Sequence, residues 1–262
     1  MNLNLTGKTA IVCGSTQGIG RATAVELALL GAHITLMARN EASLKQTVAS
    51  LDISLKQVHR YIVADFSSNE NVKHTIEEYV KVYPDVHILI NNTGGPAGGP
   101  IIEAETEQFM KIFQMHVINF QILAQAVVPN MKKAGFGRIV NIISTSVKQP
   151  IIGLGVSNTI RGAVASWSKT LSLELGQYGI TSNNVLPGST KTARLDAVLR
   201  MRSEAMGKSV KEISDQMEDQ IPIRRFIEAT EVAAAVAFLC SPAAAGINGV
   251  NLAVDGGKTE SM

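Results

Sequence analysis

Short apolar runs alternate with longer segments of helical periodicity along the whole chain. The runs lie at 9–13, 33–37, 59–64, 86–91, 138–144, 180–186 and 250–254. Several are apolar throughout instead of alternating, as parallel strands buried on both faces should be. Between them the spacing predicts helices at 19–30, 41–51, 69–82, 105–133, 157–178 and 230–240. A strand–helix–strand rhythm implies right-handed crossovers. The fold class that follows is α/β, a doubly wound seven-stranded parallel sheet in a single domain over residues 1–262. One stretch breaks the rhythm. Residues 192–227 are polar and charged and carry Met201, Met206 and Met217. They read as a helical excursion between the sixth and seventh strands.

Composition narrows the function classes. The chain has 262 residues, 45% hydrophobic and 18% charged, which suits one self-sufficient core. Lys plus Arg number 24 against 22 Asp plus Glu, a net charge of +2. That balance gives no reason to expect nucleic acid or a membrane surface as partner. Two cysteines, Cys13 and Cys240, make no disulfide framework, and a reducing cytoplasmic setting fits them. The first residues show no apolar signal core, and no run approaches the roughly 18 uninterrupted apolar residues of a membrane span.

The first strand runs directly into Gly14-Ser15-Thr16-Gln17-Gly18-Ile19-Gly20, with a helix behind it. Glycines here let the backbone turn tightly and approach a pyrophosphate, which then rests on the helix N-terminus. Strand, glycine turn and helix in that order predict a Rossmann-type dinucleotide site. The second strand ends Met37-Ala38-Arg39-Asn40, with no carboxylate to accept from a ribose 2′-hydroxyl. Arg39 can instead pair with a 2′-phosphate, which favours NADP(H) over NAD(H).

The spacing Gly-x-x-x-Gly-x-Gly resembles the short-chain dehydrogenase/reductase family, and further marks of that family follow in order. Asp65, with Phe66 after it, closes the third strand, where the family has an Asp near the adenine. Asn91-Asn92-Thr93-Gly94 resembles the family's Asn-Asn-Ala-Gly. The fifth strand reaches Ser144, at the position of the family's catalytic Ser. Pro187-Gly188-Ser189-Thr190-Lys191-Thr192 resembles the Pro-Gly turn that holds a nicotinamide, and Asp255-Gly256-Gly257 matches the last strand end. The resemblance covers the whole chain and is nearest the 3-oxoacyl-acyl-carrier-protein reductases. It implies an NADP(H)-dependent oxidoreductase acting on a small carbonyl or acyl thioester substrate. The cofactor set it implies is Gly14, Ser15, Thr16, Gly18, Ile19, Gly20, Arg39, Asp65, Phe66, Asn91, Thr93, Gly94, Arg161, Pro187, Gly188, Thr190 and Thr192, with no metal. It further implies that residues 192–227 form a mobile lid and that the chain assembles as a homotetramer or homodimer through its two longest helices.

The catalytic positions depart from the family's Asn, Ser, Tyr and Lys. Thirteen residues after Ser144, where Tyr is expected, stands Ser157, and four later Arg161 replaces Lys. His116 stands where the family has Asn. Ser144 and Arg161 can polarise a carbonyl, leaving the proton to His116, Ser157 or water. Arg161 is permanently charged and can hold a ribose hydroxyl or an oxyanion but cannot pass a proton. His116 reads either as a proton donor titrating near neutrality or as a packed helix-interface histidine. Ser157 reads either as a catalytic hydroxyl or as a helix N-cap. The same Ser-Asn-x-x-Arg departure, with Thr93-Gly94-Gly95-Pro96 after the fourth strand, resembles a branch of the carrier-protein reductases. With a cofactor site kept and a catalytic set changed, a non-catalytic NADP(H)-binding subunit or sensor stands as the alternative.

Overall fold

A computed structural model describes residues 1–261. Seven strands form one parallel sheet in the order β3-β2-β1-β4-β5-β6-β7. They are β1 Thr9–Cys13, β2 His33–Ala38, β3 Arg60–Val63, β4 Ile88–Asn91, β5 Gly137–Ile142, β6 Ile180–Pro187 and β7 Asn251–Val254. Strand order reverses between β1 and β4, so the loops leaving their C-terminal ends part there and open a crevice. The helices are α1 Gly18–Leu29, α2 Glu41–Ala49, α3 Asn69–Val82, α4 Thr106–Phe113, α5 Asn119–Ala134, α6 Gly155–Leu175, α7 Ala193–Met206, α8 Val210–Asp219 and α9 Ala229–Cys240.

Alternate residues of each strand feed two cores. Ala10 and Val12 of β1 pack with Ala24, Leu27 and Ala28 of α1 and Val232 and Val236 of α9 on one face. Ile11 and Cys13 pack on the other with Val72 and Ile76 of α3 and Leu123 and Val127 of α5. This two-sided burial is why the strands read as continuous apolar runs.

Three elements differ from the sequence expectation. The single helix expected at 105–133 is α4 and α5 joined by a π-helical turn, Gln114–Ile118, which inserts one residue into the helical repeat. The helix expected from residue 157 starts two residues earlier, at Gly155. An added Cβ at Gly155 would stand 2.5 Å from the Cα of Ile101, so only glycine permits the helix to start this close to the 99–103 loop. The excursion at 192–227 is α7 and α8 around a small core of their own, Leu195, Leu199, Ile213, Met217, Ile221 and Phe226. Helix α8 is fixed at its start by a capping box between Ser209 and Glu212.

The β6 strand is not apolar. Thr181, Ser182, Asn183 and Asn184 are all buried in it. Buried amides need partners, and here they find them in register across four strands. Asn91 Nδ2 donates to Asn141 Oδ1 at 2.8 Å, Asn141 Nδ2 to Asn184 Oδ1 at 2.9 Å, and Asn184 Nδ2 to Asn251 Oδ1 at 2.8 Å. Each bonded pair is also a register pair of adjacent strands. Replacing Asn141 by Leu removes a donor and an acceptor at once and strands the amide of Asn91. We expect a loss of about 3 kcal/mol in unfolding free energy, read by chemical denaturation with an unchanged m-value. A loss below about 0.5 kcal/mol would show the ladder to be dispensable.

Candidate active site

The glycine turn between β1 and α1 is built to close tolerances. Gly14 and Gly18 take positive φ, +58° and +53°. An added Cβ would stand 2.6 Å from the Asn92 carbonyl at Gly14 and 2.2 Å from the Gly14 carbonyl at Gly20. Asn92 Nδ2 reaches across from the end of β4 to the carbonyls of Cys13 and Gly14, both at 3.2 Å. Ser15 is fully buried, and its Oγ accepts from the Met37 amide at 3.2 Å. Helix α1 then begins with no side-chain cap and no acidic residue in its first turn. Its unsatisfied N–H groups and positive dipole end face the turn, and a bound anion satisfies both. Ile19 packs against the core beneath.

At the far end of the crevice, Arg39 is exposed and joins no ion pair among the described residues. Asp65 lies near it. The Ser67 backbone N–H, chiefly, and the Arg39 charge, last, hold the Asp65 carboxyl below its ordinary range. Phe66 gives its carbonyl to Asn119 Nδ2 at 2.7 Å. On the opposite wall Pro187 ends β6, and a Cβ at Gly188 would stand 2.7 Å from that of Asp255. Thr190 bonds the Gly188 carbonyl, Thr192 the Thr190 carbonyl, and the Thr192 methyl faces Gly18 across the crevice.

The remaining expected groups converge between β5, α6 and the loop after β4. Arg161, one turn along α6 from Ser157, is only 7% exposed, and its Nη1 donates to the Ile142 carbonyl at 2.9 Å. Burial, and then the charge of Arg194, lower its pKa to about 10, so it stays cationic at neutral pH. Ser144 follows β5 directly, and its Oγ accepts from the Ser146 amide. His116 lies fully buried in the π-helical turn, edge-on to Phe120, with Nδ1 2.6 Å from the Thr93 hydroxyl. Gly94 has open space where a side chain would be.

For two residues, one of the alternative readings falls here. His116 does not titrate near neutrality: burial, and then the nearby Arg161 charge, lower its pKa to about 2. Ser157 is not an N-cap, because the helix starts at Gly155 with Leu154 in the cap position. The Ser157 hydroxyl makes no hydrogen bond among the described residues and is half-buried. Asn91 spends its amide within the sheet, so it holds the strand end in place. Sequence reading passed over Asn92 and Arg194. Arg194, in the first turn of α7, donates from Nη2 to the Pro96 carbonyl at 2.7 Å. Its only sequence signal was a cation at a helix N-terminus, the unfavourable end.

Known proteins resemble this chain in sequence and fold. A family profile described as enoyl-(acyl carrier protein) reductase matches residues 14–259. A provisionally assigned ketoacyl reductase of Streptomyces coelicolor is 32% identical over 95% of this chain and 96% of its own. The L-sorbose reductase of Gluconobacter frateurii, solved with NADPH and L-sorbose, superposes with a TM-score of 0.93 at 30% identity, covering all of both chains. An actinorhodin polyketide ketoreductase solved with NADPH gives a TM-score of 0.89 at 30% identity over 97% of each chain.

The neutral His116 has a thermodynamic signature. Its pKa lies near 2 in the folded chain against an ordinary 6.5. Above about pH 6.5 both states are neutral there and the residue adds no pH dependence. Below it the unfolded chain takes up a proton that the folded chain refuses. Stability therefore falls by up to about 1.4 kcal/mol per pH unit from this group. His116→Gln should remove that part of the acid slope, measured as unfolding free energy between pH 7 and 5. An imidazole seen by NMR to titrate near pH 6 in the folded protein would contradict it.

Proposed function

The chain belongs to the short-chain dehydrogenase/reductase family of oxidoreductases, and on that premise we propose that it binds NADP(H) and interconverts a carbonyl and an alcohol. The observation that carries this is the uncapped start of α1 above a turn that only glycines can form, with the unpaired Arg39 beyond it. Gly14, Thr16, Gly18 and Gly20 would hold the pyrophosphate and Arg39 the 2′-phosphate. Asp65 and Phe66 would border the adenine, and Thr93, Gly94, Pro187, Gly188, Thr190 and Thr192 the nicotinamide half. When bound, the nicotinamide supplies or accepts the hydride.

The protein's own groups do the rest. Arg161, charged and nearly dry, holds a ribose hydroxyl and stabilises negative charge growing on the carbonyl oxygen. Ser144 donates to the same oxygen. His116, neutral, is a positioning residue that fixes the Thr93 hydroxyl. The proton comes through the free Ser157 hydroxyl from water, in place of the family's phenol. The relatives support a ketone beside an acyl thioester as one member of this substrate class. The absence of a tunable phenol favours a second reading, an NADP(H)-binding subunit without turnover. A panel of ketones, oxo acids and 3-oxoacyl thioesters separates the two: binding without any turnover selects the second.

Assembly enters the same proposal. Leu173 of α6 is 75% exposed and Ile118 at the π-helical turn 36%. These helices are the surface for a homodimer or homotetramer, whereas Ile112 is consumed within the chain. Light scattering at micromolar concentration should show at least a dimer, and a monomer ends the idea.

The cofactor assignment makes its own prediction. NADPH should bind at least about tenfold more tightly than NADH, since Arg39 forms charge-assisted bonds with the phosphate alone. Arg39→Asp should flatten or reverse this preference in calorimetric titrations. Equal affinities in the unmodified protein would refute the role of Arg39.

A further inference from the structure

Two arginines meet on one short loop with no acid between them. Arg161 presents five donors, of which only Nη1 has a partner within the chain, the Ile142 carbonyl. Its Nη2 lies against Gly95, 3.8 Å from where a Cβ would stand. Arg194 reaches the same loop from the first turn of α7 and bonds the carbonyl of the next residue, Pro96. Neither joins any of the seven ion pairs among the described residues. The nearest ion pair in sequence, Lys191 with Glu228, leaves its acid already engaged.

Helix stability does not explain Arg194, since a cation in the first turn of α7 opposes the helix dipole. Core stability does not explain Arg161, since burying a guanidinium without a counter-charge is unfavourable. The cofactor does not supply the missing charge either. On the reading above, its phosphates lie at the glycine turn and at Arg39, and the ribose beside Arg161 is neutral.

We infer that the substrate brings the anion: a carboxylate close to the reacting carbonyl, as in a 2- or 3-oxo acid, held between Arg161 and Arg194 over Gly95. Planar guanidinium forks suit a two-oxygen planar anion, and the missing side chain at Gly95 leaves room for it. The inference rests on the carbonyl/alcohol reading and narrows it from ketones in general to oxo acids.

The test uses a complex that cannot react, the whole protein with NADP+ and a carbonyl compound. Calorimetry first measures NADP+ binding alone. The complex is then titrated with 2-oxobutanoate and 3-oxobutanoate, each against its ethyl ester. At least one acid should bind about tenfold or more tightly than its ester, a preference that falls as salt rises. Arg194→Met should collapse this ratio toward one. Acids that bind no better than their esters, or a preference that survives Arg194→Met, overturn the inference while leaving the cofactor assignment intact. If NADP+ does not bind, the cofactor assignment fails, and the same titrations on the unliganded protein still decide the anion site.

Discussion

Everything in the crevice depends on one side-chain amide. Asn92 stands just past β4, at the point where strand order reverses, and its Nδ2 bonds the carbonyls that end β1. The backbone there is drawn in so far that neither Gly14 nor Gly20 could carry a side chain. The two half-sheets are thereby fastened at the place where their loops diverge. The start of α1, the loop from Thr93 to Pro96 and the ends of β5 and β6 are positioned around that fastening.

Electrostatics gives the inner site its character. Arg161 keeps its charge although nearly buried, and burial, then the Arg161 field, keep His116 a neutral imidazole with a single ring proton. A cation and a neutral imidazole side by side form a site that attracts and stabilises negative charge but holds no acid of its own. That is a different division of labour from a phenol beside a lysine. On the proposed mechanism, charge stabilisation is fixed in the protein and the proton comes from outside.

Much of the fold was legible because its signals are local. Apolar runs marked the strands, all seven of which lie within two residues of their expected bounds, and the glycine turn marked the head of the crevice. What was not legible depends on contacts distant in sequence. The π-helical turn at Gln114–Ile118 leaves a helical pattern on either side and shows only in the hydrogen bonds. The early start of α6 is set by Ile101 packed on Gly155. His116 stayed open between a titrating and a packed reading, because its pKa follows from burial and from Arg161, 45 positions later in the chain. Arg194 was invisible as a site residue because the carbonyl it holds is 98 positions away.

The asparagine ladder also governs how the sheet can go wrong. On the β3-β2-β1 side, neighbouring strands meet largely through aliphatic residues, which are nearly interchangeable under a shift of two. From β4 to β7 they are not. Sliding β6 by two positions along β5 would set Asn184 beside Ile139 or Ile143 and leave the buried amides of Asn141 and Asn184 without each other. Parallel strands joined by long crossovers carry little local information about their mutual offset, and a misaligned sheet is a trap from which a folding chain escapes slowly. The file of amides works as a key cut for a single alignment, so the half of the sheet that carries Ser144 locks only when its strand ends are level.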